Sequence, residues 1–180
     1  MAVLCLFSSA YAQSKKKVLV NPLQVGQRIP EMILDQIHNH PTTRSDLGDM
    51  VLGFMIIELW STKSESCAAN YGRIEDLACS NEYDVRGIRI TPESQSEVLS
   101  YLLRHPPKVP SWIPLITDDK VLSRLFPNTK APQYVWLDRT GKIVAMTGPE
   151  EVTEENIDLA FNQRPISKSA ITAALSTNVQ

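Results

Sequence analysis

A nearly unbroken apolar run, Val51-Leu52-Gly53-Phe54-Met55-Ile56-Ile57, passes through Glu58-Leu59-Trp60 to a polar turn, Ser61-Thr62-Lys63-Ser64. A short β-rich run without polar alternation reads as a strand covered on both faces, the habit of central parallel strands. Beyond the turn, Ala68, Tyr71, Ile74, Leu77 and Ala78 recur at helical spacing. They predict one amphipathic helix that carries Cys67 and ends around Cys79 to Asn81. Val85 to Ile90 alternates like a strand, and Glu97, Val98, Tyr101, Leu102 and Leu103 resume a helix. That succession of strand, helix, strand, helix implies a right-handed parallel crossover.

The flanks fit the same scheme. Met32 to Ile37 reads as an edge strand or β-ribbon, and Ser45-Asp46-Leu47-Gly48 as a short connector to the central strand. Pro106 to Pro110 is a stiff extended connector in which proline stops the preceding helix. Trp112 to Ile116 precedes a short helix over Asp119 to Phe126. Two β runs around Thr140-Gly141 predict a hairpin, and Thr153-Glu154-Glu155-Asn156 opens the last helix with a capping-box-like spacing. No internal repeat is visible.

Length and composition narrow the picture. The chain has 180 residues, 43% hydrophobic and 21% charged, which fits one globular domain with extensions and excludes a disordered chain. A formal charge of −2 gives no electrostatic reason to expect nucleic acid or anionic lipid as a partner. Residues 1–12 hold an apolar segment, Val3 to Phe7, and a small-x-small site at Ala10-Tyr11-Ala12, like a secretory signal without its basic start. Cys5 is expected to leave with that leader, because it lies too near the start for a leader to precede a lipidation site. Residues 13–22 form a polar lead-in, and 163–180 a polar tail or a linker to another domain. No segment approaches the ~20 apolar residues that cross a bilayer.

The chemistry concentrates at the end of the central strand. Glu58 needs a partner or stays protonated, since an unpaired buried charge costs several kcal/mol. Cys67 sits one turn inside a helix, where aligned peptide dipoles favour a thiolate. Ser64, three residues earlier, is well placed as an N-cap for ~1 kcal/mol, and no histidine base adjoins it in sequence to make it a nucleophile. Cys79 is a poor disulfide partner for Cys67: in a continuous helix their Cα atoms stand ~18 Å apart, beyond the ~7 Å a disulfide tolerates. His38 and His40, one residue apart on a strand, would face the same side. No cysteine or carboxylate cluster backs them, so a solvated turn is expected rather than a metal site.

Trp60-Ser61-Thr62-Lys63-Ser64-Glu65-Ser66-Cys67 resembles the Trp-Ala-x-Trp-Cys-Gly-Pro-Cys segment of thioredoxin-fold proteins, in particular the TlpA-like envelope thiol:disulfide oxidoreductases. Ala131-Pro132 is similar to the cis-proline loop of that family, and Val135 to Val144 to its strand, Asp-x-x-Gly turn and next strand. Leu23-Gln24-Val25-Gly26-Gln27-Arg28-Ile29-Pro30 resembles the start of redoxin domains. The resemblance implies a thioredoxin fold over residues 23–162: a central mixed β-sheet flanked by helices, with an N-terminal β extension. By the same resemblance Glu58 falls on the buried acid, Cys67 on the second cysteine of Cys-x-x-Cys, and Ser64 on the attacking cysteine. Trp60, Lys63, Ala131 and Pro132 become the substrate-facing set, and a cell-envelope or periplasmic location follows.

Serine cannot ionise near neutral pH or form a disulfide, so dithiol cycling is not expected. Two classes of function stay open, neither needing a cofactor. One is a monothiol redox protein acting on a polypeptide thiol or disulfide through Cys67, with Lys63 stabilising the thiolate and Glu58 moving its proton. The other is a non-catalytic module that holds a polypeptide or an adjoining domain, in which Cys67 is an inert buried residue. Peroxiredoxins, which share the fold, use Thr/Ser-x-x-Cys, a pattern that Ser64 to Cys67 satisfies, although Trp60 stands where that family has a proline.

Overall fold

In the computed structural model, residues 21–80, 84–108, 111–126 and 130–162 are described. In chain order the elements are β1 (Ile33–Asp35), β2 (Ile37–His38), β3 (Arg44–Asp46), α1 (Leu47–Met50), β4 (Phe54–Leu59), α2 (Glu65–Ala69), α3 (Arg73–Ser80), β5 (Val85–Ile90), α4 (Gln95–Arg104), β6 (Leu115–Ile116), α5 (Leu122–Leu125), β7 (Gln133–Leu137), β8 (Ile143–Thr147), a 3-10 turn at Pro149–Glu151, and α6 (Glu154–Phe161). The leader-like segment 1–12, most of the lead-in, Val109, Pro110 and the tail 163–180 lie outside the described residues.

Six strands form one mixed sheet in the order β2-β6-β5-β4-β7-β8. β4 pairs in parallel with β5 on one side and antiparallel with β7 on the other, so it is covered along both edges. Its side chains alternate between two cores. Met55 and Ile57 face a core with Leu47, Met50, Leu122 and Leu125 from α1 and α5. Phe54 and Ile56 face one with Ile74 and Leu77 of α3 and Ile157 and Ala160 of α6. Burial on both faces is why the run lacks polar alternation, and each fully buried aliphatic side chain contributes about 1.5–3 kcal/mol. Gly87 of β5 lets α3 lie close, since a Cβ there would stand 2.5 Å from Ile74 Cγ2. A third core gathers Trp60, Cys67, Val98 of α4 and Leu115 around the strand ends.

Several sequence expectations change in the structure. The single helix expected from the Ser64 turn to Cys79 is two, because Asn70 ends α2 and Gly72 takes a left-handed φ of +95° before α3 begins. The continuous-helix spacing of Cys67 and Cys79 therefore does not hold, although both thiols are free, Cys67 buried and Cys79 exposed. The Met32 to Ile37 run divides at Gln36, with φ 56°, so β1 pairs only with β3 while β2 joins the sheet edge at β6. Asn39, also at φ 56°, turns the chain after β2. His38 and His40 thus do not share a strand face. His38 Nε2 lies 3.1 Å from Thr117 Oγ1, and His40 Nδ1 lies within its own turn beside Thr42. The connector before β4 contains α1, capped by the Asp46 carboxylate, which accepts the Gly48 N–H. α5 spans less than Asp119 to Phe126 because Asp119 serves outside it, accepting the N–H groups of Leu122 and Ser123. Thr153 caps α6 by accepting from Asn156 N–H, with no carboxylate at that position to reciprocate. The complete capping box belongs to Ser94 and Glu97 on α4.

Candidate functional site

The chain leaves β4 at Leu59, and Trp60 N–H still donates to Ile90 C=O at 2.9 Å before the turn begins. The Trp60 ring stands edge-on to Tyr71 and Tyr101, and its Nε1–H has no hydrogen-bond partner among the described residues. The buried Glu93 carboxylate fixes the turn from the β5–α4 loop, accepting from the Ser61 hydroxyl and from Thr62 N–H at 3.0 Å. Ser61 Oγ in turn accepts Lys63 N–H at 3.1 Å. Together these bonds present Ser64 at the N-cap of α2.

Ser64 joins two chain segments. Its hydroxyl donates to Ala131 C=O at 2.6 Å and accepts Cys67 N–H at 3.2 Å. The Ala131–Pro132 peptide bond is cis. Cys67 is 0% exposed, with Ser61 N–H directed at its sulfur at 3.4 Å. Burial pushes its thiol above the ordinary value, and the hydrogen bonds involving Ser64 and Ser61 only partly offset this. The thiolate favoured by helix position alone is therefore overruled by desolvation. Lys63 does not supply the expected counter-charge: it is exposed, and its charge acts on Glu97, which the Ser94 side chain and N–H already hold low.

Below the turn lies a buried ionic cluster. Strand register places Glu58 opposite Arg89 on β5 and Tyr134 on β7. Arg89 Nε donates to Glu58 Oε2 at 2.6 Å, and the Tyr134 hydroxyl donates to Glu58 Oε1 at 3.1 Å. The remaining guanidinium nitrogens reach Glu75 of α3 at 3.4 Å, and Ser111 Oγ donates to Glu75 as well. The guanidinium carbon lies 3.9 Å from the centroid of the Tyr71 ring. Burial raises the Glu58 carboxyl, against the pull of Arg89 and the Tyr134 hydroxyl. Burial alone would lower Arg89, but Glu58 and Glu75 more than offset it and keep the guanidinium charged. Burial, followed by the charge of Glu58, pushes the Tyr134 phenol upward.

The structure thus brings Ser64, Cys67, Trp60, Ala131 and Pro132 to the ends of β4 and β7, with Glu58 beneath them and Lys63 directed outward. Glu58 is paired and hydrogen-bonded, so the expected proton shuttle meets a carboxylate already engaged on both oxygens. Four residues of the site were not singled out from sequence: Arg89, Glu75, Tyr134 and Glu93. Arg89 carried a partial signal: β5 has two cations, Arg86 and Arg89, on opposite faces, and Arg89 shares its face with Val85 and Gly87. The other three carried none. Among the described residues no group of three or more His, Cys, Asp and Glu side chains could hold a metal ion. No described helix is long and apolar enough to cross a membrane.

No family model and no curated protein matches the chain. Solved structures do. The thioredoxin domain of a thiol-disulfide oxidoreductase from Bacteroides vulgatus is similar with a TM-score of 0.61 at 12% identity, over 78% of this chain and 99% of that one. A thiol-disulfide oxidoreductase from Bacteroides fragilis gives 0.57 at 12% identity, over 74% and 99%. A thioredoxin-like superfamily protein gives 0.61 at 14% identity, over 79% and 98%. Likeness of this degree establishes the architecture, a thioredoxin-like mixed sheet flanked by helices.

Proposed function

We propose that this chain is a TlpA-like thioredoxin-fold protein that has lost dithiol exchange and holds a polypeptide at the Ser64–Pro132 site without turning it over. The observation that carries the reading is Ser64 itself. An oxygen occupies the position of attack, already committed to Ala131 C=O and Cys67 N–H, above a sulfur with no exposed surface. A buried thiol with a raised pKa is a poor nucleophile, since the thiolate is the reactive form. This favours the binding module over a monothiol or peroxidase role for Cys67. Of the residues expected to face the polypeptide, Trp60 and Pro132 are buried and shape the site from within, which leaves Lys63 and Ala131 as the side that meets a thiol or disulfide protein or an adjoining domain. The Val3 to Ala12 sequence supports export to the cell envelope.

One feature favours the monothiol reading: Ser61 N–H is directed at the sulfur and would stabilise a thiolate. Thiol titration separates the two readings. In a Cys5→Ser/Cys79→Ser variant, Cys67 is expected to react with a disulfide reagent only after denaturation. Reaction at native pH 7 within seconds, or catalytic reduction of insulin by the wild-type chain, would sink the binding-module reading.

A further inference from the structure

Glu58 lies where the resemblance puts a proton acceptor for the neighbouring thiol, yet each of its oxygens already receives a donor. Arg89 Nε holds Oε2 at 2.6 Å and the Tyr134 hydroxyl holds Oε1 at 3.1 Å. Both donors are fixed by the sheet, since Glu58 sits opposite Arg89 and Tyr134 in register. Arg89 is further held by Glu75, by Ser111 at 3.3 Å and by the face of Tyr71. The Arg89 and Glu58 side chains are 0% and 1% exposed. A proton arriving on Glu58 would cancel the nearest counter-charge of a guanidinium that has no water to turn to.

We propose that Arg89 is a positioning residue that keeps Glu58 an ionised counter-charge at neutral pH, closing the site to thiol exchange at a second point independent of Ser64. This rests on the reading that Ser64 occupies the attacking position. The step affected is the resolving one. With sulfur introduced at position 64 and joined to a substrate, Cys67 Sγ must lose its proton and attack the introduced sulfur. The bond to the substrate sulfur then breaks, the substrate sulfur leaves as a thiolate and is protonated, and a disulfide closes onto Cys67. The two protein thiols are oxidised as the substrate disulfide is reduced. The proton leaving the buried Cys67 needs an acceptor, and a Glu58 clamped by Arg89 does not supply one.

The test compares Ser64→Cys alone with Ser64→Cys combined with Arg89→Gln or with Arg89→Lys. The readout is substrate-thiol release from a preformed mixed disulfide, followed against pH. Arg89→Gln is expected to speed release at least about ten-fold and to introduce a new inflection in the pH profile, while Arg89→Lys behaves like Ser64→Cys alone. Equal rates and equal pH profiles for all three overturn the inference. If Ser64→Cys stays fully reduced in oxidised glutathione, the alignment of the turn fails, and with it the proposed function. Arg89 is then judged on the wild-type protein, as it is if Arg89→Gln does not fold. The infrared difference between glutamate-labelled wild type and Glu58→Gln at neutral pH is expected to show a carboxylate band. A protonated carboxyl band there overturns the inference.

Discussion

The Ser61–Ser64 turn and the ionic cluster beneath it adjoin one another, yet they differ in reach and in what holds them. The turn is largely local: Ser64 caps Cys67 three residues on, and Ser61 points at the same sulfur from six residues away, with Glu93 and Ala131 as its long-range supports. The cluster draws Glu58, Glu75, Arg89 and Tyr134 from β4, α3, β5 and β7. The two neutral bonds of Ser64 at this half-exposed turn contribute about 0.5–1.5 kcal/mol each. Breaking a buried charge pair costs several times more, because the survivor is stranded. The chemistry of the turn can therefore change by one atom at little cost to the fold, whereas the cluster tolerates almost no single change.

The largest expected effect follows directly. Arg89→Leu strands Glu58 and Glu75 together and should cost about 3–5 kcal/mol, or prevent folding. Urea denaturation checks it, and a loss within about 1 kcal/mol, the scale of an exposed pair, would show that the cluster is not a structural unit. Next comes Gly87→Ala. Its added methyl would stand 2.5 Å from Ile74 Cγ2 and 3.3 Å from Ile113 Cγ2. Pushing α3 back also pulls Glu75 from Arg89, so about 1–3 kcal/mol is expected. Pairing it with Ile74→Ala should cost less than the sum of the single changes. Strict additivity would mean that α3 does not move.

The same contrast explains what could be read from sequence. The turn was legible because its information is local: a serine three residues before a cysteine is a cap, and the apolar run before it is a strand. The sheet core was legible for a similar reason, since period and strand length marked β4, β5 and the β7–β8 hairpin. The cluster was legible only as a need. Glu58 announced that a partner must exist, but choosing Arg89 over Arg86 required the register of two strands, and Glu75 required the break at Gly72 that reorients α3. Helical spacing runs unbroken from Ala68 to Ala78, so the pattern concealed that break, although Asn70 and Gly72 together were a stop signal. Glu93 was invisible because loop residues have no period.

A smaller change sharpens the local side of the comparison. Ser64→Ala removes the cap on Cys67 and the bond to Ala131 C=O, and should destabilise by about 1–2 kcal/mol. Because the turn and the cluster are held separately, Ser64→Ala and Tyr134→Phe should add within about 0.5 kcal/mol. Strong coupling in that double-mutant cycle would mean that the cluster props up the turn, and that the serine is not an independent change.

The smallest expected effects lie in the pH dependence of stability, where the two regions separate into different windows. Glu58 is raised by burial, so its contribution is fully present below the ordinary carboxylate value and is lost as pH rises through its raised one. Cys67 is also raised by burial, so its contribution is fully present below the ordinary thiol value and is lost as pH rises through its own. Stability should therefore step down once above the ordinary carboxylate value and again above the ordinary thiol value. Tyr134 is raised too, by burial and then by the charge of Glu58, so its contribution is likewise lost only as pH rises through its raised value. Glu58→Gln should flatten the lower step and leave the alkaline one, whatever it costs in absolute stability, and Cys67→Ala should do the reverse by delaying the alkaline loss. Urea midpoints measured from mildly acidic to alkaline pH read both slopes. If Glu58→Gln also erased the alkaline step, the thiol would be titrating through the cluster, and the turn and the charges beneath it would have to be treated as one coupled site.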